Sequence, residues 1–293
     1  MTGAERGLLL LCCRLDDPNA APMTLYQFQQ LRKRMREASM PTEERELTLP
    51  DLTALGLPAE TGEKLLRLLD RDAALDTFLD RAANCGVTVV TRLSADYPDQ
   101  LETRLRQYAP AVLFCKGDGK LLRQRGVALV GSRQLLPTGA QFARRVGELA
   151  AKEDYTLISG GAYGADQTAQ KSATAHGGSA IVFTPDRLSQ MPDAPRTLYV
   201  SEDGFDVPFS SARALARNRL IHALAEMTFV AQVSAGHGGT WRGAMDNLRF
   251  GWSPLYVCDD GSDGAQALVL SGAQPVGELK SLRALQSGTL FTD

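Results

Sequence analysis

The sequence predicts an α/β protein built on a doubly wound, mostly parallel β-sheet, with a small helical domain ahead of it. Three observations carry that expectation. From Val87 onward, short and uniformly apolar runs alternate with amphipathic helical stretches, the pattern of a sheet buried on both faces. Residues 1–86 have a different texture, rich in Leu, Arg and acidic residues at helical spacing. The chain has 293 residues, 44% hydrophobic and 23% charged. Those values are ordinary for a globular protein and allow about two domains.

The first region reads as helices. The apolar run Leu8 to Cys13 follows Glu5 and Arg6. It is too short for a membrane span of ~20 residues and too short for a signal-peptide core with a cleavage site after it. With no longer apolar run elsewhere, a soluble, cytoplasmic protein without membrane contact is expected. Cys12 and Cys13 read as buried small hydrophobes. Leu25, Phe28, Leu31 and Met35 share one helical face, which leaves Arg32, Lys33, Arg34 and Arg36, with Glu37 beside them, as a solvated face. Pro41 and Pro50 punctuate the next stretch, where Asp51 or Thr53 is the candidate cap of a short helix. Glu63 to Leu69 gives another amphipathic helix, and Leu75, Phe78 and Leu79 mark a third. None of these helices shows visible chemistry.

The second region, 87–276, opens with a strand at Val87 to Thr91, a turn at Asp96-Tyr97-Pro98 and a strand at Ala111 to Cys115. Core strands follow at Val127 to Val130, Thr156 to Ile158, Ala180 to Phe183, Leu198 to Val200, Thr228 to Val233 and Leu255 to Cys258. Helices fall between most of them: Ala140 to Lys152, Ala165 to Ala175, Ala212 to Ala225 and Trp241 to Phe250. The architecture expected is Rossmann-like, with residues 277–293 as a polar tail.

Several chemistries are excluded at this level. The five cysteines are odd in number and scattered, with no C-x-x-C pair, so neither a disulfide framework nor a zinc site is expected. The three histidines lack metal-ligand spacing, and no metal is expected. Ser159-Gly160-Gly161 is not a dinucleotide fingerprint, and Gly117-Asp118-Gly119-Lys120 lacks the length and hydroxyl of a P-loop. No cofactor is expected. With 32 basic against 34 acidic residues, bulk positive charge cannot drive nucleic-acid binding, so any such binding needs a local patch.

In an open parallel sheet, ligands bind beyond the carboxyl ends of the strands. Three such ends carry glycine. They are Gly131-Ser132-Arg133, the run Ser159-Gly160-Gly161-Ala162-Tyr163-Gly164-Ala165-Asp166, and Ala235-Gly236-His237-Gly238-Gly239-Thr240. Glycine lets backbone N–H groups approach a ligand, and a following helix N-terminus favours an anion. Arginine occurs at the same places, as Arg133, as Arg217-Asn218-Arg219 and as Arg242. Arginine suits bidentate phosphate recognition and base stacking. The alternative for Arg217 and Arg219 is pairing with a carboxylate such as Glu202.

Residues from about Thr88 to Val257 resemble the DNA-processing protein A family (DprA, also called Smf). The resemblance rests on Val130-Gly131-Ser132-Arg133, on the Ser159 to Asp166 loop, and on Gly177-Gly178, Ser201-Glu202 and Arg217-Asn218-Arg219-Leu220-Ile221, in that order. Upstream, Asp96-Tyr97-Pro98 with Leu101, Pro110, Leu113-Phe114 and Gly117 resembles the family's lead-in. The chain also departs from the family pattern. Ala169-Gln170 stands where the family usually has Ala-His, and Thr184 to Thr197 is shorter than usual. Ala214, Leu215 and Ala216 occupy the place of an aromatic before the Arg-Asn-Arg string, Gln232 replaces a glutamate, and the tail is too short for the winged-helix-like domain of many members.

The resemblance implies a non-catalytic protein that binds single-stranded DNA and helps load the RecA recombinase in natural transformation, usually as a homodimer. Ser132 and Arg133 are then expected to contact phosphates, as are the N–H groups around Gly160 and Gly161 in the loop that begins at Ser159. Arg217, Asn218 and Arg219 are expected to line the groove, with Gly238, Gly239 and Thr240 on the same rim and Lys171 adding a contact. The near-neutral net charge implies a confined footprint, which dimerisation would double. A different class is the LOG-type nucleoside-monophosphate hydrolase or a nucleotide-ligand binder, whose P-G-G-x-G-T-x-x-E loop resembles Ala235 to Ala244. That loop's glutamate has no counterpart here, which leaves Asp166 and Glu202 as the carboxyl groups for acid–base work.

Overall fold

The computed structural model describes residues 1–40 and 46–286. Pro41 and the end of the expected tail lie outside the described residues. The helical region comprises α1 (Gly3–Cys12), α2 (Leu25–Glu37), α3 (Leu49–Ala54), α4 (Ala59–Leu69) and α5 (Asp72–Asn84). Three of these helices start with reciprocal caps. Thr2, Thr24 and Thr48 accept the N–H three residues on, while Glu5, Gln27 and Asp51 reach back to the cap. The cap of α3 is therefore Thr48, not Asp51 or Thr53. The Thr53 hydroxyl turns back onto the carbonyls of Leu49 and Pro50.

The sheet has nine strands: β1 (Val87–Thr91), β2 (Val112–Lys116), β3 (Gly126–Val130), β4 (Thr156–Ser159), β5 (Ala180–Phe183), β6 (Thr197–Ser201), β7 (Met227–Val230), β8 (Leu255–Cys258) and β9 (Gln274–Val276). Their spatial order is β1-β2-β6-β5-β4-β3-β7-β8-β9. β1–β2 and β2–β6 pair antiparallel, and the other pairs are parallel. The remaining helices are α6 (Asp99–Leu105), α7 (Pro137–Lys152), α8 (Ala165–Ala175), α9 (Ser211–Ala216), α10 (Asn218–Leu224), α11 (Gly238–Phe250), α12 (Asp263–Leu270) and α13 (Leu282–Gln286). The fold is the α/β, mostly parallel, Rossmann-like arrangement that the apolar runs predict. From β3 the chain winds outward to β6, then returns to β7 on the other side of β3. The order reverses there, and a crevice opens between the loops that follow β3 and β7.

The two sheet faces are packed differently. On one, Phe142, Val146 and Ala169 of α7 and α8 cover Val127, Leu129, Leu157 and Phe229. A Cβ on Gly147 would lie 2.3 Å from the Ala169 carbonyl, so glycine there sets how closely the two helices approach. On the other, Leu8, Leu75 and Phe78 of the helical region join Phe114, Phe183 and Leu198 in one continuous apolar core. Phe78, Phe114 and Phe205 meet ring to ring, with centroids 5.0–6.5 Å apart.

The structure departs from the sequence reading in five further places. The strand expected to run to Val233 stops at Val230, because Gln232 leaves the ladder and gives its carbonyl to the Ser132 N–H at 2.9 Å. The helix expected over Ala212 to Ala225 breaks at Arg217, whose side chain turns into the interior. Strand β9 went unread, since its three residues include Pro275 and leave two side chains exposed. Residues 277–286 are not a free polar tail. Leu279 and Leu282 are buried, and the Glu153 carboxylate accepts the N–H groups of Leu282 and Arg283 at the start of α13. Cys12 and Cys13 are half-buried rather than fully buried, and all five cysteines are free. No helix among the described residues is long and apolar enough to cross a membrane, and no metal-ligating cluster occurs among them.

Candidate functional site

The crevice at the strand reversal is an open cleft of about 470 Å³, within the range of small-ligand sites. Loop packing fixes its shape. A Cβ on Gly131 would lie 2.6 Å from the Ala165 methyl, and one on Gly164 (φ +92°) 2.5 Å from the carbonyls of Ser132 and Arg133. Glycine at both places lets the loop after β3 sit directly on the start of α8, where the Ala165 N–H donates to the Ser132 carbonyl at 3.1 Å. Across the cleft, the Thr240 hydroxyl donates to the Gly131 carbonyl at 3.0 Å, and the Asn218 amide to the Gly239 carbonyl at 3.3 Å.

One rim is built to receive an anion. The first turn of α11, Gly238 to Thr240, lines the cleft without a side-chain cap. It therefore presents unsatisfied N–H groups and the positive end of the helix dipole. Arg133 and Arg242 line the same cleft and form no ion pair among the described residues. The Ser132 hydroxyl accepts from the Gln134 N–H at 3.1 Å, which keeps its own proton available to a ligand. Phe209, 51% exposed, and Leu215 form an apolar wall.

The floor holds two buried charged side chains, Arg217 and Asp166, which act on each other through space without a direct ion pair among the described residues. Arg217, 9% exposed, donates from Nη2 to the Gly160 carbonyl at 3.0 Å, while its Nε has no hydrogen-bond partner. A Cβ on Gly160 would fall 1.7 Å from Nη1, so this glycine makes room for the guanidinium. The Oδ2 of Asp166 accepts the N–H groups of Gly160 and Ala162 at 3.0 and 3.2 Å. Burial pushes the Asp166 carboxyl up to about 6, against the opposing pull of Arg217 and the two N–H donors. Burial also lowers the Arg217 pKa, although Asp166 opposes the shift. His222 is held down to about 3 by burial first and Arg217 second, so it is neutral at pH 7, with its Nδ1 3.3 Å from the Thr228 hydroxyl.

Of the residues singled out by sequence, Gly131, Ser132, Arg133, Arg217, Asn218, Gly238, Gly239 and Thr240 come together in this cleft. Ser159, Gly160, Gly161, Lys171 and Arg219 do not line it. The Ser159 hydroxyl is buried and accepts from the Gln170 amide, and the Gly160 N–H faces inward to Asp166 rather than to a phosphate. Arg219 is turned away onto the Glu202 carboxylate, with a second contact to the Ala216 carbonyl. Lys171 is exposed on α8. Sequence reasoning missed Phe209, which supplies a ring from eight positions ahead of Arg217 and not from the helix next to it. Asp166, a substitute carboxyl of the hydrolase alternative, lines the cleft and anchors the loop through two N–H groups.

Residues 88–286 match the family described as DNA recombination-mediator protein A. The chain is 32% identical over 181 residues to DNA processing protein DprA of Streptococcus pneumoniae, covering 57% of this chain and 64% of that protein. It is 30% identical over 209 residues to Protein Smf of Escherichia coli, covering 66% and 55%. The chain thus spans less than two-thirds of the length of these relatives. Among solved structures, DNA processing protein A from Streptococcus pneumoniae shares the fold, with a TM-score of 0.71 over 95% of this chain and 97% of that one at 23% identity. DNA processing protein A from Helicobacter pylori, described for its single-stranded DNA binding mode, has a TM-score of 0.56 at 26% identity, over 64% of this chain and 90% of that one.

Proposed function

The chain belongs to the DNA recombination-mediator protein A family, and on that premise we propose that its rim cleft binds single-stranded DNA. Phosphates sit on Arg133, Arg242 and the first turn of α11, with Ser132 donating and the buried Arg217 lending its charge from the floor. Bases turn towards Phe209 and Leu215. The observation that carries this reading is the convergence of two arginines without an ion pair among the described residues, an uncapped helix N-terminus and an exposed ring in one cleft. Backbone cations beside an aromatic platform are what sequence-tolerant binding of a single strand requires. The Helicobacter relative, whose single-stranded DNA binding mode has been described, supports the same assignment.

The role proposed is binding without catalysis. The alternative, a nucleotide hydrolase, needs a carboxyl group free to exchange protons with its substrate. Glu202 is paired with Arg219 outside the cleft, and Asp166, which lines the cleft, is held by two backbone N–H groups. By family resemblance, the protein further acts in the cytoplasm as a homodimer that shields the strand and passes it to the RecA recombinase during DNA uptake or recombination.

Fluorescence anisotropy of a labelled oligo-dT, with duplex DNA and AMP as competitors, tests the assignment. Displacement by unlabelled single strand at far lower concentration than by duplex or AMP is expected. Displacement by AMP at equal or lower concentration would replace the DNA reading with a nucleotide pocket.

A further inference from the structure

The loop that carries Phe209 has no regular structure over residues 202–210, yet one side chain ties it to three other segments. Arg213, in the first turn of α9, donates from Nε to Asp203 Oδ2 at 2.8 Å and from Nη2 to the Ser201 hydroxyl at 3.1 Å. Its Nη1 reaches the carbonyls of Val207 and Pro208 at 2.8 and 2.9 Å, and that of Pro185. The end of β6, the loop after β5 and both arms of the Phe209 loop therefore meet on one guanidinium whose side chain is 13% exposed. A second anchor, Phe205, is 1% exposed in the core between Phe78 and Phe114. Between these anchors and the Ser210 cap of α9, Phe209 is left half-exposed on the cleft wall.

We propose that Arg213 is a positioning residue that holds Phe209 as a base-stacking wall, so that the cleft distinguishes a strand with bases from a bare sugar-phosphate backbone. The inference rests on the single-stranded DNA reading of the same cleft. Arg213 itself does not line the cleft, so it acts through loop geometry and not through charge on the strand. Lysine cannot replace it, because an ammonium does not span five acceptors on separate segments.

The test is anisotropy with oligo-dT and with an abasic oligonucleotide of equal length. The wild-type protein is expected to favour oligo-dT by about tenfold or more, the scale of one base–aromatic stack. F209A should bring oligo-dT binding down towards the abasic level, so that the preference is lost. R213A and R213K should do the same, and F209A/R213A should be no worse than either single change. D203A, which removes one anchor, should lower the preference partway and stands in if R213A does not fold. Equal loss of dT and abasic binding in R213A and D203A would overturn the proposal by showing a merely structural role. A wild-type protein that binds both probes equally would overturn the stacking wall and leave the DNA reading standing. Binding of neither probe would overturn both.

Discussion

Two glycine- and arginine-bearing stretches on the same rim have opposite uses. Gly131 to Arg133, with Gly238 to Arg242 facing it, keeps Arg133, Arg242 and the first turn of α11 on the cleft, and spends only the Ser132 N–H and the Thr240 hydroxyl on Gln232 and Gly131. The Ser159 to Asp166 loop, with Arg217 and Arg219 behind it, turns most of its polar groups inward. The Gly160 N–H and carbonyl are taken by Asp166 and Arg217, and Arg219 is taken by Glu202. The difference teaches that a glycine loop before a helix does not reveal which way its N–H groups point. A nearby buried carboxylate decides it, because an unpaired N–H beside a buried charge costs more than one left to a ligand.

The largest effect that would break this contrast comes from the floor. R217A removes the hydrogen bond to the Gly160 carbonyl and the cation whose field acts on Asp166, and should cost about 3 kcal/mol in urea unfolding, with loss of strand binding. A loss within 1 kcal/mol, by the same unfolding scale, would mean that Arg217 is not the keystone of the inward loop.

The next effect concerns pH. Asp166 is raised from 3.8 to about 6, so its contribution to stability is full below about pH 4 and is lost as pH rises through 6. His222 is lowered from 6.5 to about 3, so its contribution is full above 6.5 and is lost as pH falls from there towards 3. The two slopes oppose each other between about pH 4 and 6. Urea midpoints should therefore change little with pH over that window for these two groups together. D166N should leave a protein that weakens on acidification, and H222Q one that strengthens. Parallel pH profiles in both variants would contradict the assignment.

Smaller effects sharpen the comparison from the outside. R219A removes a partly buried pair and should destabilise by about 1–3 kcal/mol, yet leave oligo-dT affinity within twofold, since the side chain faces away from the cleft. K171A should change neither quantity measurably. A large affinity loss in either variant would extend the strand path beyond the cleft.

The sequence made the sheet legible because its strands are buried on both faces and so read as unbroken apolar runs. Val127 to Val130 and Ala180 to Phe183 are the clearest cases. It also placed the cleft at the strand ends, because the parallel order leaves ligands no other natural crevice. What escaped is what depends on direction or distance. Leu279 and Leu282 are isolated leucines in a polar stretch, and only their contact with the α7 side of the sheet buries them. Arg217 sits in the middle of a run with good helix propensity, and the helix breaks there because the side chain is drawn inward. Phe209 gives no periodic signal at all, and its exposure follows from anchors in Arg213 and Phe205 that only the folded loop brings together.

The measurement that bears most directly on the central claim is the salt dependence of oligo-dT binding for the wild type, R133A, R242A and the double variant. Both arginines lie outside the buried floor, so folding should be preserved. If they neutralise phosphates, each substitution should lower the slope of log K against log salt by about 0.7, and the double variant by roughly 1.4, with affinity falling in step. Unchanged slopes with intact binding would show that the strand lies elsewhere and that the outward rim serves another ligand.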